Sequence, residues 1–363
     1  MRYRTALAKR FAKGGAGGRL PPASMANIYD VARRARVSVA TVSAVINDSA
    51  YVSPHLTARV EGAVRALGYK PNLLARSLAK QQSHMLGMVV PDIANPFWPE
   101  VVRGAEDRAH AAGYTLLLSN SDDDPVKEAL YLNLFLAKRV DGILLAKAPA
   151  PLSRDLSAQI RSSRMAVVQL MRVTPGCGSD AVVLDDEDAA YEAVSHLLRL
   201  GGRRIAMLSG PPAVMTAARR CAGYKRAMKD AHVKVDPALQ YAGDFRVRSG
   251  YEGGLVLLKR RPEAVFIANY LMAVGFMKAL RQYQLRCPQD VAIVTCDDHP
   301  WLESFSPQLT TVNFPKYELG SEGARVLIER LAKPNSPPQR IELRSALSIR
   351  ESCGQQLKAA AFA

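Results

Sequence analysis

Between residues 27 and 69 the apolar positions recur every three or four residues, which is the period of an amphipathic helix. The stretch "NIYDVARRA" places Ile28, Val31, Ala32 and Ala35 on one face. Asn27 stands directly before this stretch and has a side chain suited to capping a helix. The pattern therefore predicts a first helix that starts after Asn27.

The next stretch, "VSVATVSAVIND" (residues 37–48), has features of two structures. Val and Ser alternate at its start as in a strand, whereas Val42, Val45 and Ile46 have the spacing of a helix. Ser38 can cap a helix by accepting a hydrogen bond from an amide near Thr41. We therefore interpret the segment as a second helix, separated from the first by a tight turn.

Residues 52–69, "VSPHLTARVEGAVRALGY", predict a third helix with Ser53 as N-cap, Pro54 at the first position and Gly68 at the end. Three short helices in this order are typical of a helix-turn-helix, which places its second helix in the major groove of DNA. A plain three-helix bundle for protein contact has the same pattern, so the pattern alone leaves both open.

From Met85 onward, apolar runs of strand length alternate with amphipathic helical stretches. The runs include "LGMVV", "DGILLA" and "AVFIAN", and "DAAYEAVSHLLRLGG" is one of the helical stretches. This alternation predicts parallel sheets covered by helices on both faces, and the number of strands favours two doubly wound lobes. Ligands of such sheets bind at the carboxyl ends of the strands, so we expect a small-molecule site between the lobes.

The net charge of +16 is unevenly distributed along the chain. Residues 1–24 carry six basic residues and no acid, and residues 25–84 carry eight basic residues and three acids. An excess concentrated in the first quarter of the chain is the electrostatic footprint of a nucleic-acid-binding protein. It favours the helix-turn-helix over the protein-contact bundle.

Several function classes find no support. The longest apolar runs have strand length, so no membrane helix is predicted. The five scattered cysteines include no C-x-x-C pair, and the histidines lack zinc-ligand spacing, which is typical of a reduced cytosolic chain; no metal and no cofactor are expected. An enzyme would need a motif such as G-x-S-x-G or a P-loop, and a transporter's solute-binding protein would need a secretory signal; neither is visible.

The basic, Gly-rich residues 1–24 are expected to form a disordered tail, or to be an over-long gene start with Met25 as the true initiator.

The run "IYDVARRARVSVATVSAVIND" and the following "YVSPHLTARVEGAVRALGYKPNLLARSLA" closely resemble the DNA-binding headpiece and hinge of the LacI/GalR family of bacterial transcription repressors. The resemblance extends from about Asn27 to Leu86 and implies that Val39 to Asn47 form the recognition helix. The side chains of Val39, Ala40 and Ala44 would then face base edges. The DNA-contacting headpiece residues that it implies are Tyr29, Ser38, Val39, Ala40, Thr41, Ser43, Ala44 and Asn47.

The segment "PNLLARSLAKQQS" resembles the family's hinge, which in dimers forms a short helix in the minor groove. Leu78 falls on the position whose leucine is inserted between base pairs and kinks the duplex. A linker leucine that packs on the core is the alternative. The hinge residues implied to contact DNA are Asn72, Ala75, Arg76, Leu78 and Ala79.

Two headpiece residues depart from the family's pattern. Arg36 stands in the tight turn where the family usually has Gly. Either Arg36 adopts a left-handed conformation there, which costs a non-glycine residue about 1 kcal/mol, or the turn differs slightly. Ala44 stands where a polar residue commonly reads bases. We therefore expect direct readout to depend on thymine methyl groups.

The stretches "PDIANPFW", "KRVDGILL", "CDD" and "PQLTTV" resemble the periplasmic-binding-protein-like effector domain of the same family, through about Arg350. Tyr270 replaces an acid of the family and Val214 replaces a polar residue of some members, so a less charged pocket is expected. The effector-binding residues that the resemblance implies are Phe97, Trp98, Thr216, Arg220, Phe245, Asn269 and Asp297.

The resemblance also implies a division of the chain. A helix-turn-helix domain (25–70) and a hinge with linker (71–84) precede an effector-binding and dimerisation domain (85–350) and a tail (351–363). Lobe one is expected at about 85–183 and 315–341, and lobe two at about 184–314 and 342–350. The tail lacks leucine heptads, so a tetramerising coiled coil is not expected.

We therefore expect a cytoplasmic, homodimeric transcription repressor that binds a pseudo-palindromic double-stranded operator. A small-molecule effector bound between the lobes, such as a sugar, a sugar acid or a nucleoside-like compound, would control its DNA affinity. The sequence leaves open which effector binds and whether it releases or recruits the repressor.

Overall fold

The computed structural model describes residues 26–69, 82–174 and 178–356. The chain divides into an N-terminal unit that ends at Gln81 and a C-terminal unit that begins at Gln82. Within the described ranges, no helix is both long and apolar enough to cross a membrane.

The N-terminal unit contains α1 (Ile28–Ala35), α2 (Val39–Asn47) and α3 (Pro54–Leu67). The Asn27 side chain accepts from the amides of Tyr29 and Asp30 at 2.9 and 3.1 Å, and the Asp30 carboxylate accepts from the Asn27 amide. Ser38 Oγ accepts from the Thr41 amide at 3.1 Å. These local bonds start α1 and α2 where the sequence predicted, and "VSVATVSAVIND" is a capped helix.

A small apolar core holds the three helices together. Val45 and Ile46 of α2 are partly buried against this core. Its buried members are Val31, Ala32, Ala35, Val42, Val60 and Ala63. Because α2 has no charged residue and weak intrinsic helix propensity, packing against α1 and α3 is its main source of stability.

The C-terminal unit contains two six-stranded sheets, each with helices on both faces. This arrangement, together with the three-helix unit, confirms the fold class predicted from the sequence. The first sheet is parallel throughout, and the second is parallel except for its last strand, which pairs antiparallel to its neighbour.

Lobe one has the strand order β11-β5-β4-β3-β1-β2. Its strands are β1 (Met85–Val90), β2 (Thr115–Asn120), β3 (Gly142–Leu145), β4 (Ala166–Leu170), β5 (Asp180–Leu184) and β11 (Arg340–Leu343). Its helices are α4 (Phe97–Ala111), α5 (Pro125–Lys138), α6 (Arg154–Ser162) and α11 (Lys316–Ala332).

Lobe two has the strand order β12-β10-β9-β8-β6-β7. Its strands are β6 (Ile205–Ser209), β7 (Gln240–Ala242), β8 (Ala264–Ile267), β9 (Ala292–Cys296), β10 (Thr310–Asn313) and β12 (Ala346–Ser348). Its helices are α7 (Asp186–Arg199), α8 (Met215–Asp230), α9 (Val247–Leu258) and α10 (Tyr270–Gln282).

Three connections cross between the lobes: β5 to α7, β10 to α11, and β11 to β12. The first and third are tied together, because the Ser345 amide donates to both carboxylate oxygens of Asp185 at 3.0 and 3.1 Å. The chain leaves β5, β10 and β11 at their carboxyl ends when it crosses between the lobes. The carboxyl ends of the strands in both sheets therefore face a common cleft.

Candidate DNA-binding surface and effector cavity

The predicted DNA-contacting residues of the headpiece differ in exposure. Ser38 and Ala40 are exposed, and Tyr29 retains 65% of its accessible surface. Val39 was expected to be exposed, but its side chain packs partly against the headpiece core, and Ala44 is half-buried. The surface of α2 therefore presents small methyl groups more than extended side chains.

The polar side chains of α2 are engaged within the helix. Ser38 Oγ and Thr41 Oγ1 lie 2.9 Å apart at hydrogen-bonding distance. Asn47 Nδ2 donates to the Ser43 carbonyl at 2.8 Å and to its hydroxyl at 3.2 Å. These contacts leave few free donors for base edges, which agrees with the expected readout of thymine methyl groups; the base-reading roles stay predictions.

Arg36 ends α1 in a left-handed conformation with φ 49° and ψ 50°, so the first of the two alternatives for this turn is the one observed. Its amide donates to the carbonyls of Ala32 and Arg33. The guanidinium of Arg59, on α3, donates to the carbonyls of Ala35 and Arg36. A side chain distant in sequence thus stabilises a turn that glycine would form without strain.

The substitution Arg36→Gly is therefore expected to have two opposite effects. Relief of the left-handed strain should raise the headpiece's free energy of unfolding by about 1 kcal/mol. Loss of one exposed positive charge should weaken DNA binding and reduce its salt dependence. Denaturant unfolding of the full chain and DNA titrations at several salt concentrations measure the two effects; a lower stability would contradict the strain argument.

The hinge residues that the sequence predicted to contact DNA lie outside the described residues. They are Asn72, Ala75, Arg76, Leu78 and Ala79.

A cavity of about 250 Å³ lies in the C-terminal unit at the carboxyl ends of strands from both lobes. All seven residues predicted to bind an effector line it. Phe97 and Trp98 come from the start of α4 in lobe one, and the other five come from lobe two. The structure thus brings the predicted set together, and their role as ligands stays a prediction.

Arg220 forms the buried floor of this cavity and is only 3% exposed. Its Nε donates to Asp186 Oδ1 at 2.8 Å, and its Nη1 donates to the carbonyl of Ala268. The guanidinium also lies 4.8 Å from the centre of the Phe314 ring, on the connection from β10 to α11. Arg220 is therefore held in place from three sides, with donors left for a ligand.

Asp297 lies beside Arg220 and is buried, in a left-handed conformation with φ 70°. Its Oδ1 has no hydrogen-bond partner among the described residues. Burial raises the pKa of Asp297, while the charges of Arg220 and Lys316 oppose that rise. An unpaired buried acceptor is costly, so a ligand hydroxyl that donates to Asp297 would be favoured.

Aromatic side chains form the apolar walls. The rings of Phe97 and Trp98 meet edge to face with 5.3 Å between their centres. The ring of Phe245 covers Gly210, where a Cβ would lie 2.0 Å from the phenyl group, so a larger residue there would displace the ring. Such walls stack well on the apolar faces of a sugar or base.

Asn269 was expected to bind the effector, but both ends of its side-chain amide form hydrogen bonds within the protein. Its Nδ2 donates to the Phe245 carbonyl at 2.9 Å, and its Oδ1 caps α10 by accepting from Met272 at 3.0 Å. Val214 lines the cavity, whereas Tyr270 stacks on His299 with 5.9 Å between ring centres and is not part of the lining.

Three cavity features were missed in the sequence. Met171 and Arg172 line the cavity directly after β4, and Asp186 is the carboxylate that pairs with Arg220. The apolar run "MAVVQL" (165–170) has strand length, so inspection of the two residues beyond its carboxyl end could have found the first two. Asp186 carries no such signal, because its pairing depends on the packing of α7 against α8.

Two family models match the chain. "Bacterial regulatory proteins, lacI family" matches residues 27–72, and "Periplasmic binding protein-like domain" matches residues 194–353. The ribose operon repressor of Escherichia coli (strain K12) is 37% identical over 332 residues, which is 90% of this chain and 100% of that protein. The chain belongs to the lacI family of bacterial regulatory proteins. It is a DNA-binding transcription regulator, as the sequence predicted.

Solved structures agree with this membership. The lac repressor dimer bound to operator and the anti-inducer ONPF has a TM-score of 0.80 at 27% identity, covering 90% of this chain and 99% of that chain. A LacI family transcriptional regulator from Enterococcus faecium with bound ribose has a TM-score of 0.68 at 28% identity, covering 74% of this chain and 98% of that chain.

Among the described residues, no group of His, Cys, Asp and Glu side chains has the arrangement of a metal site.

Proposed function

We propose that this regulator is a homodimeric repressor whose affinity for a pseudo-palindromic operator is set by a sugar or sugar derivative in the cavity. It would act in the cytoplasm and catalyse no reaction. The observation that carries the proposal is the cavity itself, where a braced guanidinium, a carboxylate with one unpaired oxygen and aromatic walls from both lobes converge. This combination suits a polyhydroxylated ligand.

The lobes supply a route from ligand to DNA. Arg220 contacts Asp186 just after the connection from β5, and Phe314 on the connection from β10. A ligand that binds Arg220 would therefore act, through Arg220, on both connections that set the relative orientation of the lobes. It can shift DNA affinity only by the difference in its affinity for the two orientations.

An exposed apolar stripe supports a homodimer. Val126, Leu130 and Leu134 follow one another at four-residue intervals on α5, and Leu118 lies on β2, the edge strand of lobe one. Their exposed fractions are 77%, 63%, 44% and 43%, respectively. Contiguous apolar side chains of this kind mark protein contact surfaces, and a second copy of the chain is the proposed partner.

The substitution Leu130→Glu is expected to weaken dimerisation by roughly tenfold or more, because it buries a charge without a partner at the interface. Analytical ultracentrifugation over a concentration series measures the effect. Ile349→Glu, at an apolar residue of lobe two that is 47% exposed, is the matched control and should leave the dimer intact. Equal dimerisation of the two variants would remove this stripe from the interface.

A thermal-shift screen of sugars, sugar acids, nucleosides and phosphosugars tests the ligand part of the proposal. A compound that raises the melting temperature must also change the affinity of the full chain for its operator. A compound that binds in the cavity and leaves DNA affinity unchanged would contradict the coupling.

A further inference from the structure

Arg172 is a buried cation in the lobe-one wall of the cavity, directly beyond the end of β4. It is 8% exposed and lines the cavity opposite the residues of lobe two. A guanidinium offers five N–H donors in one plane and no acceptor, so each of its edges can be assigned a partner.

One edge of this guanidinium is occupied. Nη1 and Nη2 donate to the two carboxylate oxygens of Asp123, with Nη2 at 3.3 Å from Oδ2. Nη1 also donates to the Lys147 carbonyl at 3.0 Å. These bonds fix the plane of the guanidinium and its direction in the wall.

The other edge, formed by Nε and Nη2, is free. Arg172 Nε is buried and has no hydrogen-bond partner among the described residues. Two parallel N–H donors on one edge match the two oxygens of a carboxylate, which is the strongest partner for such a fork. This edge therefore matches a planar anion, which can reach Nε only if the side chains that bury it move.

We propose that Arg172 selects an effector with a carboxylate, so that the ligand is a hydroxy acid of monosaccharide size. This inference rests on the proposed function and names the ligand class of the same cavity. The carboxylate would bind the Nε and Nη2 edge of Arg172, and the hydroxyl groups would reach Arg220 and Asp297 on the opposite wall.

The size of the cavity fits this class. Its volume of about 250 Å³ lies just below the roughly 300–1,000 Å³ of pockets for drug-sized ligands. A single sugar ring or its open-chain acid is the appropriate size.

Three acidic residues of the lining already have donors, and Asp123 pairs with Arg172 itself, so the carboxylate left with an unpaired oxygen among the described lining residues is Asp297 on the opposite wall. Asp92 accepts from the Ala94 amide at 3.0 Å, and Asp244 accepts from the Arg246 amide at 2.9 Å. Asp122 accepts from Asn120 at 2.7 Å and pairs with Lys127.

Calorimetric titration of the full chain with matched compounds tests the proposal. The pairs are D-ribose with D-ribonate, D-glucose with D-glucuronate, and D-galactose with D-galacturonate. The acid of at least one pair should bind more than tenfold tighter than its neutral sugar. Arg172→Gln should reduce the affinity for that acid to the level of the neutral sugar, and Arg172→Lys should restore only part, because an ammonium has no fork.

Two controls separate recognition from folding. Asp123→Asn keeps the arginine but removes one of the two bonds that fix its plane, so it should weaken the preference for the acid less than Arg172→Gln does. Arg161→Gln, at an exposed arginine of α6, makes the same chemical change away from the cavity and should alter nothing. A melting temperature for Arg172→Gln within the range of these controls shows that the variant is folded.

The outcomes are distinct. Equal or tighter binding of the neutral sugars, an acid preference that survives in Arg172→Gln, or no binding by any compound of the panel would overturn the carboxylate proposal. If a neutral sugar binds and changes DNA affinity, the proposed function stands without it. If no compound binds and the same preparation protects no DNA site, the proposed function fails as well.

Discussion

Replacing Arg220 by methionine is expected to reduce the free energy of unfolding by about 3–5 kcal/mol, because it leaves the carboxylate of Asp186 buried without its partner. Asp186 is fully buried, and its Oδ2 has no partner among the described residues even with arginine present. The variant should also lose the response to effector, since the cavity loses its braced guanidinium. Denaturant unfolding and ligand-dependent DNA titrations measure these effects.

The double variant Arg220→Met with Asp186→Asn is the matched control. Removing the stranded charge should recover part of the lost stability and none of the effector response. Burial raises the pKa of Asp186, and loss of Arg220 should raise it further. Because the folded variant then binds a proton more readily than the unfolded chain, its destabilisation should shrink as the pH falls. A pH-independent penalty would contradict this electrostatic origin.

Ala44→Arg is expected to change which operator the protein prefers while keeping its ability to bind DNA. A polar reader at this position of α2 can discriminate a base pair by about 1–3 kcal/mol, which corresponds to roughly 5–150-fold in relative affinity. Val39→Gln should also alter preference, but Val39 packs partly on the headpiece core, so that variant should lose some stability as well. Selection from random duplexes measures the preference of each protein.

Ala58→Arg provides the matched control for this experiment, because it adds the same charge at an exposed position of α3. It should raise affinity for all duplexes alike and leave the preferred sequence unchanged. If Ala44→Arg and Val39→Gln select the same operator as the unaltered protein, α2 does not read the bases.

The parts of the structure that could be predicted from the sequence depend on local patterns. The caps at Asn27 and Ser38 involve residues three positions apart, and both form as expected. The alternation of strands and helices likewise predicted two parallel-sheet lobes, and the strand-end rule placed the cavity.

The parts that could not be predicted depend on contacts between distant residues. Arg172 bonds to Asp123, and Arg59 bonds to the turn at Arg36. These partners are far apart in the sequence, so the spacing of apolar residues does not predict the contacts. The hydrogen bond from Asn269 to the Phe245 carbonyl also joins residues that are distant in the sequence. The partial burial of Val39 follows from how three helices pack, which the helical period alone does not determine.

Ligand-controlled, sequence-specific DNA binding is tested by footprinting the full chain on DNA upstream of its own and neighbouring genes, with and without a compound that raises its melting temperature. We predict a protected site with two-fold symmetric halves about one helical turn apart or a multiple of it. We also predict that the compound shifts the protein concentration needed for protection by roughly fivefold or more. The absence of any sequence-specific protected site, with or without the compound, would contradict the proposed function.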